Sequence, residues 1–347
     1  MLFRSEEAGA VSPDTGWLPQ HLLLWEDDRL VGACPLYLKG HSRGEFVFDH
    51  GWASAAERAR IRYYPKLLVA APFSPVTGQR FLAAPGMHAR VASILAEALE
   101  GICERQGFSS VHVNFCQEDD RDALAARGWL LRTGHQYHWT NQGFGTFDDY
   151  VRSLRIERRT PIRRERKELA VQGVTIETLV GDAIPDDLAP VVYRLYRTTV
   201  DDNPWGHRYL NRRVFDLLFA RWRARLCLVL ARRQGEIVAG TFNVQKGDVF
   251  YGRYWGAFQQ LRHLHFNVCY YAVIEHCIAR GLRRFEPGAG GPFKYTRGFD
   301  AAETRSMHWI RHPGLRTAVS NYLEGERAQV AAEIEWLDEN TARRRDR

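Results

Sequence analysis

A chain of 347 residues that is 45% hydrophobic and 12% aromatic carries enough apolar side chain for packed cores, which excludes disorder over any long stretch. No run reaches the ~18 to 20 apolar residues of a membrane-spanning helix, and six scattered cysteines without a CxxC pair argue against a disulfide framework or a zinc site. The formal charge of +7 favours an anionic partner without choosing among nucleic acid, phosphate and a phosphorylated substrate.

The length predicts two domains. At the start, MLFRSEEAGAVSPDTGW has early charges and no apolar h-region, so a secretion signal is not expected, and the scattered cysteines suggest reduced thiols in a cytoplasmic protein. Residues 21–52 read as an apolar strand, a charged turn, a small-residue strand at Val31-Gly32-Ala33, another turn and an aromatic strand ending near Trp52. The pattern returns over 226–256, with Val238-Ala239-Gly240 in the small-residue strand and Trp255 near its end. Helical periodicity over 89–107 likewise returns over 266–281, each stretch closing at a glycine. The strands FSSVHVNF and LRRFEPG follow, then Gly128-Trp129 matched by Gly298-Phe299, and His138-Trp139 matched by His308-Trp309. Self-similarity at so long a period marks a duplicated unit. The predicted organisation is two α/β domains, 1–143 and 144–312, followed by a helix and basic tail over 313–347.

The copies differ between the third strand and the helix, where copy one spends an insertion of about 53–88. Connections of that length are usually functional or disordered. Tyr63, Tyr64, Phe73, Thr77 and Arg80 make this one too aromatic for disorder and a candidate pocket wall. Just before it, Asp49 and His50 suit either a general base or a turn cap.

In the second copy, RSLRIERRTPIRRERKE (152–168) includes Arg159, Arg163, Arg164, Arg166 and Lys167. It reads as a solvated helix face balanced by Glu157, Glu165 and Glu168, or as a face for phosphate or RNA. YRTTVDDNPWGHRYLNRRVF (196–215) predicts a helix-loop-helix broken at Asn203-Pro204, whose Trp205 and Tyr209 fit an acceptor clamp or a plain surface loop. In YGRYWG (251–256), strand alternation sends Tyr251, Arg253 and Trp255 to one face and Gly252 and Tyr254 to the other. His263 and His265 lack cysteine or carboxylate neighbours and read as loop or core histidines, with no metal expected. Last, EPGAGGPFKYTRGF (286–299) sets Lys294 between two rings after three glycines, as a turn lysine or a site lysine.

The stretches VGACPLYLKGHSRGEFVFDHGWA, RYYPKL, PFSPVTGQR, IRRERK, YGRYWG, LHFNVCYY, RFEPGAGGPFKYTRGF and HWI carry a resemblance from about Gly16 to His312. With the doubled order of meander, helix, strand, helix and strand, they resemble the Fem peptidoglycan aminoacyltransferases, and more closely the bacterial FemAB-like N-acyltransferases. The resemblance implies an α/β fold of two tandem GNAT-like domains, each a mixed, mostly antiparallel sheet flanked by helices, plus a C-terminal helix. It implies transfer of an aminoacyl group from aminoacyl-tRNA to an amine of a peptide, a peptidoglycan precursor or a specialised metabolite. Acyl-coenzyme A-dependent transfer and a non-catalytic RNA- or precursor-binding role are the alternatives.

The resemblance also implies roles for residues. Lys294 would face the ester carbonyl as the counter-charge of an oxyanion, in a slot shaped by Phe293 and Tyr295, which with Arg297 would bind substrate. Arg253 and Tyr254 would orient the donor; Tyr63, Tyr64, Lys66, Thr77 and Arg80 would line the substrate; the basic run would face tRNA. Two departures stand out. Fifteen or so residues replace the strand and helix that relatives carry ahead of GWLPQHLL, and Gly291-Pro292-Phe293-Lys294 replaces an acidic-His-Lys run, as in the Fem enzymes proper. The [RQ]xxGx[GA] loop that cradles coenzyme A at a helix N-terminus is missing from AFQQLRHLHFNV, which favours tRNA as donor and no cofactor. A monomer or weak dimer is expected.

Overall fold

A computed structural model describes residues 2–201 and 207–344. Its contacts divide the chain into two compact units. The first takes residues 2–135 and 303–335; the second takes 136–302 and the residues from 336 on.

In chain order the first stretch forms α1 (Leu2–Glu7), β1 (Trp17–Pro19), β2 (Leu22–Glu26), β3 (Arg29–Cys34), β4 (Leu36–Lys39), α2 (His50–Arg58), β5 (Lys66–Val69), β6 (Leu82–Ala83), α3 (His88–Arg105), β7 (Ser110–Val113), α4 (Glu118–Ala125) and β8 (Leu130–Thr140). The second forms α5 (Phe147–Ser153), α6 (Ile156–Val171), β9 (Val174–Val180), α7 (Leu188–Asp201), α8 (Arg212–Arg221), β10 (Leu226–Arg233), β11 (Glu236–Lys246), β12 (Val249–Ala257), α9 (Leu264–Phe266), α10 (Ala272–Ala279), β13 (Arg284–Glu286), β14 (Asp300–Ile310) and α11 (Pro313–Glu339). A π-helical turn, Asn267–Tyr271, joins α9 to α10. Among the described residues, no helix is long and apolar enough to cross a membrane.

The repeat is real, but its alignment differs from the sequence reading. The meander β10-β11-β12 stands as expected. In copy one the stretch before Trp52 is not a strand: Asp49 sits at the start of α2, and the aromatic run precedes it as irregular chain. The true counterpart of β12 is β5. Each pairs in parallel with the strand after its helix, β12 with β13 (Val249↔Arg284) and β5 with β7 (Leu67↔Val111). The supposed insertion over 53–88 therefore contains most of α2, then β5 and β6. Pro35 explains part of the misreading. Proline has no N–H for a ladder, and the chain changes sheets there: β3 pairs with β2 and β6, while β4 pairs with β1 and β5.

The units are also not consecutive halves. Residues 303–310 of β14 belong to the first unit, pairing with β7 at Met307↔Val113 and His308↔His112. Residues 136–140 of β8 belong to the second, pairing with β13 at Trp139↔Phe285. Each repeat thus gives the end of one strand to the unit built mainly from the other. Periodicity reports which face of a strand is apolar and is silent about its neighbour.

Each unit has its own core. In the first, α3 turns Val91, Leu95, Leu99 and Cys103 inward at helical spacing, against Leu67, Val69, Val111 and Val113 from the sheet. In the second, Val229, Phe250, Tyr271, Ile274 and Phe285 gather around Trp139, which is fully buried. Gly256 lets β12 lie directly against α7: a Cβ there would fall 1.8 Å from the Leu195 carbonyl oxygen.

Candidate active site

Lys294 lies in the second unit on a six-residue 3-10 segment, Pro292–Arg297, which starts after Gly291 and ends at Gly298. Both glycines take positive φ, 87° and 74°, which other residues avoid. Lys294 is only 3% exposed and helps line a cavity of about 360 Å³. Around it stand Arg253, Tyr254 and Trp255 from β12, Thr241 and Asn243 from β11, Thr199 from α7, Cys269 and Tyr270 from the π turn, His265 and Phe293.

The third strand delivers its residues differently from strict alternation. Tyr254 pairs with Phe242 and Gly252 with Asn243, so Arg253 is the extra residue of a β-bulge. Bulges break the period of two and re-aim side chains. As a result Gly252, Arg253, Tyr254 and Trp255 all reach the cavity wall. The π turn acts similarly, placing Cys269 and Tyr270 on this cavity while Asn267 and Tyr271 line another, of about 420 Å³, beside α6. Thr199, Asn243, Cys269 and Tyr270 were missed by sequence reasoning, since three separate elements bring them together.

The electrostatics are one-sided. Among the described residues lining the cavity there is no carboxylate, while Lys294 and Arg253 are both cations. Lys294 Nζ donates to the Gly288 carbonyl at 2.7 Å, and burial lowers its pKa to about 8. Burial, then the charges of Arg297 and Lys294, lower His265 to about 4, so its ring is neutral at physiological pH. His138 on β8 falls to about 4 as well, through burial, Arg284 and Lys294. Burial pushes the Cys269 thiol well up, which keeps it from acting as a thiolate. What remains is one desolvated ammonium beside the Arg253 guanidinium, in an otherwise neutral, aromatic setting.

Two neighbours expected to touch substrate have other partners. Arg297 is buried, its Nη2 3.1 Å from Glu165 Oε1 and its Nε donating to the Tyr271 hydroxyl at 2.9 Å. The Tyr295 hydroxyl donates to the Asn340 carbonyl. Neither lines the cavity.

The other expected site residues belong to the first unit. Asp49 is buried at the start of α2, and His50 is exposed on its first turn. Lys66 is fully buried on β5, donating to Asp49 Oδ2, Glu45 Oε2 and Ser42 Oγ. The Tyr63 hydroxyl donates to Asp49 at 2.6 Å, and that of Tyr64 lies 2.8 Å from Ser42 Oγ. Burial raises Glu45 to about 7, whereas for Asp49 the Lys66 charge, with hydrogen bonds from Lys66 and Ser42, outweighs burial and holds the carboxyl well below its usual range. Glu45 was missed, and it completes this network. Arg80 is buried too, giving its Nε to the Asn114 carbonyl and its Nη2 to that of Val76. Thr77 is half-buried in the same loop. Asp49, Tyr63, Lys66 and Arg80 thus spend their polar groups on partners inside the first unit.

Trp205, with the Asn203-Pro204 break, lies outside the described residues, which do include α7 and α8 on either side. Tyr209 is half-buried ahead of α8. On α6 the basic run is a helix face laced with carboxylates: Arg163 meets Asp148 at 2.8 Å, Arg164 meets Glu168 at 3.7 Å and Arg166 meets Glu275 at 2.9 Å. Arg159 donates to the Leu154 carbonyl, and Lys167 is exposed. His263 lies 2.9 Å from Glu168, and no cluster suited to a metal ion occurs among the described residues.

Comparison with known proteins agrees with this architecture. A search of curated proteins finds no match. Among solved structures, FemX aligns with a TM-score of 0.57 at 12% identity, covering 91% of this chain and 93% of its own. L-PGS from Bacillus licheniformis aligns at 0.55 and 8% identity, over 92% and 95%. The C-terminal domain of a putative lysylphosphatidylglycerol synthetase from Agrobacterium fabrum aligns at 0.56 and 9%, over 93% and 96%. At such identities the likeness is one of fold. The model of the FemAB-like family, described as peptidoglycan biosynthesis/recognition, matches residues 1–345, so the chain belongs to that family and is an acyltransferase of tandem GNAT-like fold.

Proposed function

We propose that this chain transfers an aminoacyl group from aminoacyl-tRNA to the amine of a peptidoglycan-precursor, peptide or specialised-metabolite acceptor, with the reaction centred on Lys294. The observation that carries the reading is a buried ammonium in a cavity walled by aromatic rings and, among the described residues, without a carboxylate. The family description and the aminoacyl-lipid named in the Agrobacterium structure support the same class of reaction.

The chemistry follows from the charges. A cationic cavity disfavours an entering ammonium, so the acceptor amine arrives neutral and nucleophilic. Its nitrogen bonds to the ester carbonyl carbon, and the carbonyl oxygen becomes an oxyanion. Lys294 leaves its carbonyl partner on Gly288 to stabilise that oxygen, an interaction of the kind usually worth ~3 to 4 kcal/mol. Collapse breaks the bond to the ribose oxygen, which takes up the proton shed by the nitrogen. An amide and a deacylated tRNA leave. The same charges make the cavity a poor host for a lysyl side chain, so a neutral aminoacyl group is the expected cargo. The α6 cations supply the tRNA contact, and the reaction belongs in the cytoplasm, where charged tRNA is found.

The test is transfer from a mixed pool of charged tRNAs to a cell-extract acceptor pool. Activity should fall steeply with salt, as counterion release requires. Ribonuclease should abolish it, and acetyl-coenzyme A should not restore it. Turnover that survives ribonuclease would overturn the tRNA reading in favour of acyl-coenzyme A; binding of RNA without transfer to any acceptor would overturn catalysis itself.

A further inference from the structure

The Lys294 turn poses a mechanical problem. It runs from Gly291 to Gly298, both in backbone conformations with little intrinsic stiffness. It nonetheless keeps an ammonium 3% exposed, where it meets two carbonyls, Gly288 at 2.7 Å and Ala289 at 3.5 Å, and, among the described residues, no carboxylate. Burying a charge on those terms is costly. Left to itself, the turn would swing its lysine toward water. Something outside the turn must hold it.

We propose that Glu165 and Tyr271 grip Arg297 and thereby hold the Lys294 turn in place, making these three the positioning residues of the transfer proposed above. Arg297 is the last residue of the turn and folds back over it, donating from Nη1 to the Phe293 carbonyl at 3.1 Å. Its other donors leave the turn. Nη2 lies 3.1 and 3.2 Å from the two Glu165 oxygens, and Nε donates to the Tyr271 hydroxyl at 2.9 Å. That hydroxyl donates in turn to Glu165, closing a three-membered ring of hydrogen bonds. The guanidinium also stacks over Phe266, 3.5 Å from the ring centroid. Both grips come from rigid elements: Glu165 from the inward face of α6, beside Ile162 and Leu169, and Tyr271 from the π turn. Asn267 ties those elements together, donating to the Glu165 carbonyl at 3.1 Å. A planar guanidinium suits this task because its five donors sit in a fixed fork.

The arrangement gives α6 two faces with two tasks. Arg163, Arg164 and Lys167 are exposed, while Glu165 points inward to the turn that carries the lysine. The helix offered to the donor RNA is thus the helix that sets the reactive ammonium.

The experiment reads the lysine directly, in the full-length chain and without substrate. Trace labelling with acetic anhydride across pH, followed by mass spectrometry of the peptide containing residue 294, yields the midpoint at which the amine becomes reactive. In the wild type that midpoint should be near 8. The charged or titratable neighbours Arg253, His265, Cys269, Arg297 and His138 are unchanged in Glu165→Gln and Tyr271→Phe. Freeing the turn should therefore carry the midpoint toward the ~10.4 of a solvated lysine, lowering the neutral fraction at pH 8 roughly 100-fold. Glu275→Gln is the control: it breaks the exposed 2.9 Å pair between Arg166 and Glu275 near the same helix and should shift nothing. If Glu165→Gln fails to fold, Tyr271→Phe decides, since it removes one hydroxyl and keeps the ring.

An unshifted midpoint in a folded Glu165→Gln or Tyr271→Phe protein overturns the proposal and leaves an ordinary core ion pair. A shift in either variant with none in the control supports it. Once transfer is established, the variants should also lose turnover with donor KM nearly unchanged, which a general loss of structure does not produce. Because labelling needs no donor, a shifted midpoint in a protein that transfers nothing upholds the grip and sinks only the assigned reaction.

Discussion

Lys66 Nζ lies 2.5 Å from Asp49 Oδ2 in the interior of the first unit, and neither side chain has more than 2% of its surface exposed. Glu45 shares the ammonium at 2.8 Å. Lys66→Met keeps the stem and strands the two carboxylates. Breaking a buried pair in this way costs about 3 to 5 kcal/mol. Urea unfolding followed by circular dichroism should show that loss; a change below about 1 kcal/mol would mean that the network contributes little to the fold.

Acid should weaken the first unit through its paired histidines. His112 and His308 meet Nδ1 to Nδ1 at 2.6 Å, both fully buried. Burial, with Lys66 next, lowers His112 to about 3; burial, with the adjoining His112 ring, puts His308 well below its ordinary value. A depressed histidine stays neutral when folded and gains a proton when unfolded. Its contribution is complete above about pH 6.5 and is lost as pH falls toward 3, by about 1.4 kcal/mol per pH unit for each ring. Stability measured in urea from pH 7 to pH 4 should follow that slope. His308→Phe should start lower, having removed a partner of His112, and decline less steeply. Equal slopes in the two proteins would count against the assignment.

At Lys294 the active form is the ammonium, so its turnover term is full below pH 8 and lost as pH rises through that value. The acceptor amine demands the opposite, and the rate profile should be bell-shaped with a descending limb near 8. Lys294→Met should remove that limb and lower turnover roughly 100- to 1,000-fold. Melting temperature should hold or rise, because the variant no longer buries a charge. A descending limb that persists in Lys294→Met would assign it to another group.

Gly256→Ala tests the seating of β12 on α7. The added Cβ would meet the Leu195 carbonyl at 1.8 Å, backbone that cannot rotate away. Overpacking typically costs about 1 to 3 kcal/mol. Thermal unfolding should show that drop, together with reduced turnover as the strand bearing Arg253 and Tyr254 shifts. An unchanged melting temperature would show that α7 yields readily.

Much of this protein was legible in one dimension. The apolar periods at 89–107 and 266–281 mark α3 and the α9-to-α10 segment, the meander of copy two stands where alternation puts it, and the glycines around Lys294 mark its turn. Local physics is sufficient for these, because hydrophobic spacing and turn chemistry are properties of neighbouring residues. What lay beyond it required partners distant in the chain. Pro35 ended a strand, but only pairing showed that β3 and β4 enter different sheets and that β5 is the counterpart of β12. The bulge at Arg253 broke an alternation that its own residues suggested. Lys66, Arg80 and Arg297 resembled surface cations ready for a substrate, yet each is buried. A charge enters an interior only where carboxylates or carbonyls meet it, and those at Asp49, Asn114 and Glu165 stand 17, 34 and 132 residues away along the chain. Whether such a cation faces solvent or core is therefore decided by tertiary structure, through the desolvation that only its distant neighbours can offset.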